Sequence, residues 1–407
     1  MCVLFRSFLV NYYLLLIYNQ NIIMSLLLQN QFKSTDNTNL SSWVPIISNQ
    51  VPVFGSIVNW DISFPGKVLD LQLILNTGPL VNAGVPSNVT FTPLMNSAFH
   101  WPILQQYNYG NNVLELANNH QNYILQMLYN HDQDIKFLQS SSGGSVAQRW
   151  ALSNTNTTSN WNIPLRNFVN TLQVENLGIG HNFRLSITLD QLTNLCTPVL
   201  GTLTIPTMTI NSAILMVRMI RYDTQVINFK QLQLQKTVNY RDIFYNHLTQ
   251  SSVVSTGSTM STILLSNFTS SNVQFIYFTI RPTANLNREN VSTYVNNITQ
   301  FNLLSATNES LCGGPISSLM SLFVINKSMT QSSFVVDAGA SVFGYWHCLS
   351  PIAGMKFGGS PSGYRSYTGT ESLQITWNGA LTQPHQVDVY ASTLSVFTQT
   401  MQSVIKT

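Results

Sequence analysis

Two alternating runs within Thr370–Phe397 constrain the fold more strongly than any other part of this sequence. Their apolar positions are Leu373, Ile375 and Trp377, then Val387, Val389 and Ala391. Because successive side chains of a strand point to opposite faces, each run predicts a half-buried β-strand. Asn378–Gly379 and Gln383–Pro384 lie between the runs and predict a turn. The apolar parity changes near Ser392–Thr393, which predicts a bulge or a second turn. The whole stretch is typical of a β-sandwich.

The same alternation recurs along the chain and predicts further strands. Its apolar positions are Val58, Trp60, Ile62 and Phe64; Leu69, Leu71, Leu73 and Leu75; Phe183, Leu185, Ile187 and Leu189; Leu215, Val217 and Met219; and Leu232 and Leu234. One run is apolar on both faces, with Ile276, Phe278 and Ile280 on one side and Val273, Phe275 and Tyr277 on the other. Such a run indicates a strand at the centre of a sandwich. Residues 98–104, 321–327 and 333–339 are also predicted to be strands.

Helical spacing is confined to two segments. Apolar residues within Asn112–Leu138 predict one helix or two short ones, and a short helix is predicted around Glu289–Phe301. The Ser- and Asn-rich tract Ser140–Asn162 and the Gly-rich Gly354–Gly369 are predicted to be long surface loops.

The length of 407 residues and mass of 45.5 kDa suit two β-domains better than one. The Pro-, Gly- and Thr-containing stretch Pro198–Thr209 is the predicted junction. We therefore expect an all-β chain with minor helical inserts. Residues 1–40 would form an N-terminal extension, residues 41–205 a first jelly roll and residues 206–407 a second.

Charged residues make up only 8% of the chain, against roughly 25% in ordinary soluble domains. Asn, Gln, Ser and Thr fill the polar positions, so the surface has weak electrostatic repulsion against self-association. The net charge of +3 includes no basic run, which argues against a nucleic-acid groove. The four cysteines are scattered without zinc-type spacing and are expected to be buried free thiols.

The first residues combine Arg6 with an apolar run from Phe8 to Tyr18, as in a signal peptide or membrane anchor. The run is shorter than a spanning helix, contains Asn11 and is followed by no small-residue cleavage site. These features favour translation from Met24, with the first residues being an upstream extension of the reading frame.

No known catalytic motif is present, and we predict no catalytic, cofactor-binding or metal-binding residues. The Gly-rich Gly339–Gly344 and Gly358–Gly363 fit turns better than a phosphate cradle. Three residue pairs could suggest catalysis, and none fits it: His131 with Asp132 is expected to be a solvated pair, His385 with Asp388 lacks a second acid or base, and His347 with Cys348 is expected to pack in the core. Adjacent strand residues such as His347 and Cys348 point to opposite faces and cannot form a dyad.

Two other classes of function remain open at this point. Asn-X-Ser/Thr sequons would suit a secreted or surface-anchored adhesin or lectin-like protein if the N-terminus were a working signal. These sequons begin at Asn88, Asn156, Asn267, Asn297 and Asn308. A polysaccharide-active jelly roll would need a cleft with paired carboxylates, and the chain has only 15 acidic residues.

The order of features resembles the double jelly-roll major capsid proteins of the adenovirus, virophage and Polinton-like virus lineage. The resemblance rests on the early strand pair NWDISFPGKVLDLQLIL, the segments IPLRNFVNTLQ and FRLSITL, the Gly-rich GYRSYTGTESLQITWNG and the final VDVYASTLSVF. It extends from about Trp43 to the C-terminus.

This resemblance implies a structural protein, not an enzyme, that forms homotrimeric, pseudo-hexagonal capsomers of an icosahedral DNA-virus shell. Its partners would be neighbouring capsomers, penton proteins and minor capsid proteins, and an internal membrane is left open. The protein would lie in the virion after assembly in the host cytoplasm or nucleus. The loops Ser140–Asn162 and Gly354–Gly369 would lie on exposed or intersubunit surfaces.

Overall fold

The first sandwich is built by strands from the N-terminal half of the chain. A computed structural model describes residues 41–82, 91–92, 101–110, 112–118, 158–165, 182–195, 197–198, 206–235, 240–283, 298–318, 343–347, 363–399 and 404–406. The strands of this half are β1 (Ser42–Ile47), β2 (Ile57–Ile62), β3 (Gly66–Thr77), β4 (Val81–Asn82), β5 (Phe91–Thr92), β6 (Pro102–Tyr109), β7 (Asn112–Asn118), β8 (Ser159–Pro164), β9 (Phe183–Leu189), β10 (Thr197–Pro198), β11 (Pro206–Thr207) and β12 (Ile210–Arg221). A short helix α1 (Leu192–Leu195) follows β9.

The second sandwich is built by the remaining strands. They are β13 (Tyr240–Val254), β14 (Met260–Leu264), β15 (Ser271–Pro282), β16 (Ile298–Leu304), β17 (Ile316–Ser317), β18 (Phe343–Trp346), β19 (Arg365–Tyr367), β20 (Ser372–Trp377), β21 (His385–Gln399) and β22 (Val404–Lys406). Helix α2 (Thr224–Gln235) separates the two sets, and a single 3-10 turn (Ser266–Phe268) lies between β14 and β15.

Both sandwiches have the same strand order. The first pairs β1-β12-β3-β8 in one sheet and β2-β9-β6-β7 in the other; the second pairs β13-β21-β15-β18 and β14-β20-β16-β17. If the eight main strands of each sandwich are numbered in chain order, both read 1-8-3-6 and 2-7-4-5. This is jelly-roll topology, in which the first strand pairs with the last. The two-residue strands of the first sandwich form separate ribbons, β10-β5 and β11-β4.

Each sandwich encloses its own core, and the sequence alternation explains both cores. The first is lined by the alternating apolar residues of β2, β3, β9 and β12, including Trp60, Leu73, Leu185 and Val217. The second is lined by β15, β16, β20 and β21, including Phe278. The predicted strands at residues 58–62, 183–189, 215–219, 372–377 and 387–391 are confirmed, and Phe64 lies just beyond the end of β2.

The predicted bulge near Ser392–Thr393 lies in the neighbouring strand. Gln274 of β15 has no register partner on β21, because Val273 faces Thr393 and Phe275 faces Ser392. Strand β3 has the same irregularity, since Leu69 is passed over where β12 pairs with β3. Leu69 and Gln274 are both the fourth residue of a twelve-residue strand. The two sandwiches therefore correspond in detail as well as in order.

The predicted boundary at residue 205 is misplaced. Strand β12 begins after it, yet pairs along β3 of the first sandwich, and its buried residues Leu215 and Val217 belong to the first core. The change of sandwich lies between Arg221, the last residue of β12, and Tyr240, the first residue of β13, in a segment that contains α2. The Pro- and Thr-rich stretch looked like a linker because it carries turn residues, but it leads into the last strand of the first jelly roll.

Three helix and strand predictions were wrong. Residues Asn112–Asn118 form strand β7 instead of a helix, and Ile298–Leu304 forms strand β16. Leu232, predicted with Leu234 to lie in a strand, belongs to helix α2. This helix begins after Asp223, whose carboxylate accepts a hydrogen bond from the Val226 amide at 2.8 Å as an N-cap.

The predicted loops are shorter than expected. Ser159–Pro164, at the end of the Ser- and Asn-rich tract, is strand β8, and Arg365–Tyr367 in the Gly-rich segment is strand β19. Phe343 and Gly344, predicted as part of a turn, begin strand β18. Residues 140–157 and 354–362 of these loops lie outside the described residues, as do residues 1–40, the predicted strands at 321–327 and 333–339, and most of the predicted helices.

Gly369 is required by the turn that precedes β20. Its φ of +84° lies in the left-handed region, and a Cβ there would overlap with the Thr269 hydroxyl. The Glu371 carboxylate braces the same turn, accepting hydrogen bonds from the Thr368 and Gly369 amides. Burial alone would raise the pKa of Glu371, but these bonds lower it overall.

We expect Gly369→Ala to lower the free energy of unfolding by about 2 kcal/mol or more, because it adds a steric overlap to left-handed strain. Gly379→Ala is the matched control: Gly379 has φ +87°, but a Cβ there would meet nothing within 4 Å. Chemical denaturation of both variants measures the difference. Equal effects of the two substitutions would show that the overlap at Thr269 is relieved without cost.

Candidate functional site

One outer sheet face of the second sandwich is buried, although it points away from its own core. We call the side of β13-β21-β15-β18 that faces away from the second core the covered face. On β15 it presents Phe275, Tyr277 and Thr279, each 0% exposed. An outer face of an antiparallel sandwich is usually solvated. This one must therefore be covered by another part of the protein.

Aromatic rings occupy the centre of the covered face. Tyr277 and Tyr390 are directly opposite on β15 and β21, and their rings stack with centroids 4.9 Å apart. Phe275 extends the stack, 5.8 Å from Tyr277. Cross-strand aromatic pairs of this kind stabilise a sheet beyond their burial alone.

Strand β7 of the first sandwich contributes to the cover. It lies against β13 and β22 of the second sandwich, and Asn118 at its end interacts with Tyr390. Burial raises the pKa of the Tyr390 phenol well above its ordinary value, and the negative charge of Asp388 raises it further. The covered face is thus an interface between the two sandwiches.

A buried ion pair lies at one end of the covered face. Arg281 Nη2 is 2.6 Å from Asp388 Oδ2, and the two side chains are 9% and 3% exposed. Asp388 Oδ1 accepts further hydrogen bonds from Ser251 Oγ at 2.6 Å and Gln386 Nε2 at 2.7 Å. Both carboxylate oxygens are engaged, so Asp388 is held as a structural anion and not as a base.

The first sandwich has a corresponding face that is more exposed. We call the side of β1-β12-β3-β8 that faces away from the first core the counterpart face. Ile74 on β3 and Ile214, Met216 and Ile220 on β12 point to this side, and all four are half-buried. Asp70, Gln72 and Asn76 of β3 and Arg218 of β12 lie on the same side, so the face is mixed in character, as is usual for an outer sheet face.

The acid–base pairs weighed in the sequence do not form catalytic dyads among the described residues. His385 and Asp388 lie on opposite faces of β21: His385 Nδ1 is 2.8 Å from the Gln383 carbonyl oxygen, whereas Asp388 binds Arg281. His347 Nε2 is 2.9 Å from the Tyr367 hydroxyl. Cys348, His131 and Asp132 lie outside the described residues. Cys312 is a free thiol, whose pKa is raised to about 11 by burial.

His347 makes the second sandwich sensitive to acid. Burial, and then the positive charge of Arg365, lower its pKa to about 4 from an ordinary value of about 6.5. Between these values the unfolded chain binds the proton and the folded chain does not. The contribution of neutral His347 to stability is therefore fully present above pH ~6.5 and is lost progressively as the pH falls towards 4, by up to about 3 kcal/mol.

We expect His347→Gln to flatten the dependence of unfolding free energy on pH between 7 and 4. Glutamine can still hydrogen-bond to Tyr367 but does not titrate in this range. Denaturant titrations of the wild type and the variant at a series of pH values measure the effect. If the unfolding free energies of the two proteins changed with pH in parallel, His347 would not be the source of the acid sensitivity.

Within the part of the chain that the structure describes, no three His, Cys, Asp or Glu residues are grouped so that they could hold a metal ion. No helix among those same residues is long and apolar enough to span a membrane. The apolar N-terminal run lies outside them.

Comparison with solved structures identifies the fold. A chain of the PBCV-1 virus capsid superposes with a TM-score of 0.64 at 15% identity, covering 90% of this chain and 96% of that chain. The Faustovirus major capsid protein gives a TM-score of 0.63 at 10% identity, covering 88% and 90%. A chain of the Sputnik virophage structure gives 0.53 at 10% identity, covering 90% and 88%.

The fold is a double jelly roll. No protein-family model matches the sequence, and no curated protein matches it. The double jelly roll is thus recognised from the three-dimensional arrangement, as expected where strand order persists at 10–15% identity.

Proposed function

We propose that this chain is the major capsid protein of an icosahedral DNA virus and that three copies form a pseudo-hexagonal capsomer. The observation that carries the proposal is the presence of two jelly rolls with the same strand order in one chain. Three such chains place six similar sandwiches around a threefold axis, which gives a nearly sixfold tile. The role is structural and not enzymatic.

The fold of the PBCV-1 and Faustovirus capsid chains supports this proposal, because each is matched over nearly its whole length. The low charge of 8% also supports it, since packed shells bring many subunit surfaces together. Neighbouring capsomers, penton proteins and minor capsid proteins would be the partners, and the virion the location. We place assembly in the host cytoplasm or nucleus. No feature of the described residues favours the adhesin.

The test is the mass and shape of the full 407-residue chain in solution. We expect light scattering to give three times the 45.5 kDa of one chain and negative-stain microscopy to show a six-lobed, hexagonal outline. A monomer that persists at high protein concentration would overturn the proposal.

A further inference from the structure

We propose that strand β14 of the second sandwich pairs edge to edge with β14 of another copy of this chain. The two strands would run antiparallel about a twofold axis at Thr262, so that the sheet β14-β20-β16-β17 continues from one copy into the other. This contact is separate from the proposed threefold capsomer and does not depend on it, because a twofold contact can join any two copies.

Strand β14 presents a row of backbone groups that its own sheet does not use. The Trp377 amide donates a hydrogen bond to the Thr259 carbonyl oxygen at 2.9 Å, which fixes how β14 pairs with β20. The direction of the bonds alternates along an antiparallel strand, so the amides and carbonyls of Met260, Thr262 and Leu264 point away from β20.

This edge is open to solvent. Met260 is 56% exposed, Leu264 is 54% exposed, and Thr262 between them is exposed as well. No described residue outside β20 hydrogen-bonds to the backbone of these three residues. A row of unpaired amides and carbonyls is a template on which another extended strand can add.

The corresponding edge of the first sandwich is covered by the protein itself. Strand β2 is second in its sandwich, as β14 is in the other. The Asn49 amide donates to the Asn59 carbonyl oxygen at 2.8 Å, and the Gln50 side-chain amide donates to the Ile57 carbonyl oxygen. The loop that follows β1 therefore blocks strand addition at β2, whereas β14 has no such cover among the described residues.

Other edge strands contain residues that oppose strand addition. Strand β1 contains Pro45, β8 ends at Pro164, and β13 contains Arg241 and Asp242. Proline and charged residues are the usual protection of an exposed edge. Strand β14 contains neither, and its pairing with β20 has no register shift. Its edge is thus both exposed and suited to pairing.

The sequence of β14 is complementary to itself, which identifies a second copy as the partner. In the antiparallel pair, Thr262 lies opposite Thr262 of the other copy, and Met260 lies opposite Leu264. Each of these three pairs exchanges two backbone hydrogen bonds, so every open group of the edge is used. Threonine pairs and apolar pairs directly across strands are favourable, and no like charges oppose each other.

The pair is expected to be weak between free copies. A ladder five residues long buries far less surface than the roughly 1,200–2,000 Å² of a stable complex. The experiment therefore traps the contact covalently instead of measuring a stable dimer.

The test introduces single cysteines on β14 of the full chain and treats each variant with a short bifunctional thiol reagent. In Thr262→Cys the two thiols face each other across the axis, with Cα atoms about 5.5 Å apart. Leu264→Cys is the matched control on the same edge, because its two copies would be about 14 Å apart along the strands. We expect roughly tenfold or more cross-linked dimer from Thr262→Cys, with mass spectrometry of the linked peptides excluding the native cysteines.

A second measurement tests the register. A mixture of Met260→Cys and Leu264→Cys proteins is expected to give mixed cross-links, because these residues lie opposite each other in the pair. Adding Thr262→Lys to both proteins places two like charges across the axis and is expected to lower that yield roughly tenfold. Thr262 is exposed, so the lysine leaves the fold intact.

The outcomes separate this contact from the proposed capsomer. Equal yields from Thr262→Cys and Leu264→Cys, or a mixed yield that Thr262→Lys leaves unchanged, would overturn the β14 contact. With a trimeric wild type, the proposed function would still stand. A wild type that is monomeric in light scattering, but whose Thr262→Cys variant cross-links as expected, would overturn the proposed function alone.

Discussion

Replacing Asp388 by alanine is expected to lower the free energy of unfolding by about 3–5 kcal/mol, because it leaves the buried guanidinium of Arg281 without its anion. Arginine cannot lose its proton to escape this cost. Ser251 and Gln386 also lose the acceptor that they share at 2.6 and 2.7 Å. Guanidinium-chloride unfolding, followed by tryptophan fluorescence and circular dichroism, measures the change.

The double variant Arg281→Met with Asp388→Leu is the control for this prediction. Removing both charges removes the pair and its desolvation cost together, so we expect a loss smaller than that of Asp388→Ala alone. If Asp388→Ala were to lie within 1 kcal/mol of the wild type, the side chains of Arg281 and Asp388 would be better hydrated than their 9% and 3% exposure indicates.

Trp161→Ala is expected to cost a similar amount, about 3–5 kcal/mol, through the first core. Trp161 is 0% exposed, its ring centroid lies 4.7 Å from that of Trp101, and its indole N–H donates to Thr77 Oγ1 at 2.9 Å. The substitution empties a large volume and leaves the Thr77 hydroxyl unpaired.

Asn160→Ala provides a neighbouring control on the same strand. The Asn160 side chain is exposed and accepts one hydrogen bond from Asn76, so we expect a change of about 0.5 kcal/mol or less. Thermal unfolding of the two variants should separate them clearly. If the Trp161→Ala and Asn160→Ala proteins had the same midpoint of thermal unfolding, Trp161 would not anchor β8 in the core.

Most of the strands that sequence reasoning found have one apolar and one polar face. Residues 58–62 and 183–189 have this pattern, and their alternation is a direct consequence of strand geometry. The run at residues 273–280 was also interpreted correctly as buried on both faces. Phe275 and Tyr277 of the covered face were thus foreseen as buried, although the partner that covers them was not.

The failures have local physical causes. Strand β8 lies in a tract of Ser, Thr and Asn, a composition that predicts a loop. Its two alternating apolar residues, Trp161 and Ile163, form too short a pattern to predict a strand. Helix α2 has no buried residue among those whose burial is described, so packing against a core does not impose a helical apolar period on its sequence, and Asp223 caps its start. The buried ion pair was not predicted because Arg281 and Asp388 are 107 positions apart in the sequence. An aspartate at a polar strand position ordinarily indicates a solvent-exposed face.

The pairing of β1 with β12 has a consequence for biosynthesis. The first jelly roll cannot close on the ribosome until Arg221 has left the exit tunnel, because β12 completes the sheet between β1 and β3. Until then the nascent chain presents the unpaired edge of β3, a site at which another chain could add. The second jelly roll has the same requirement, since β21 lies between β13 and β15 close to the C-terminus. Chains interrupted during translation would therefore be left with open sheet edges, and only complete chains would enter assembly with both sandwiches closed.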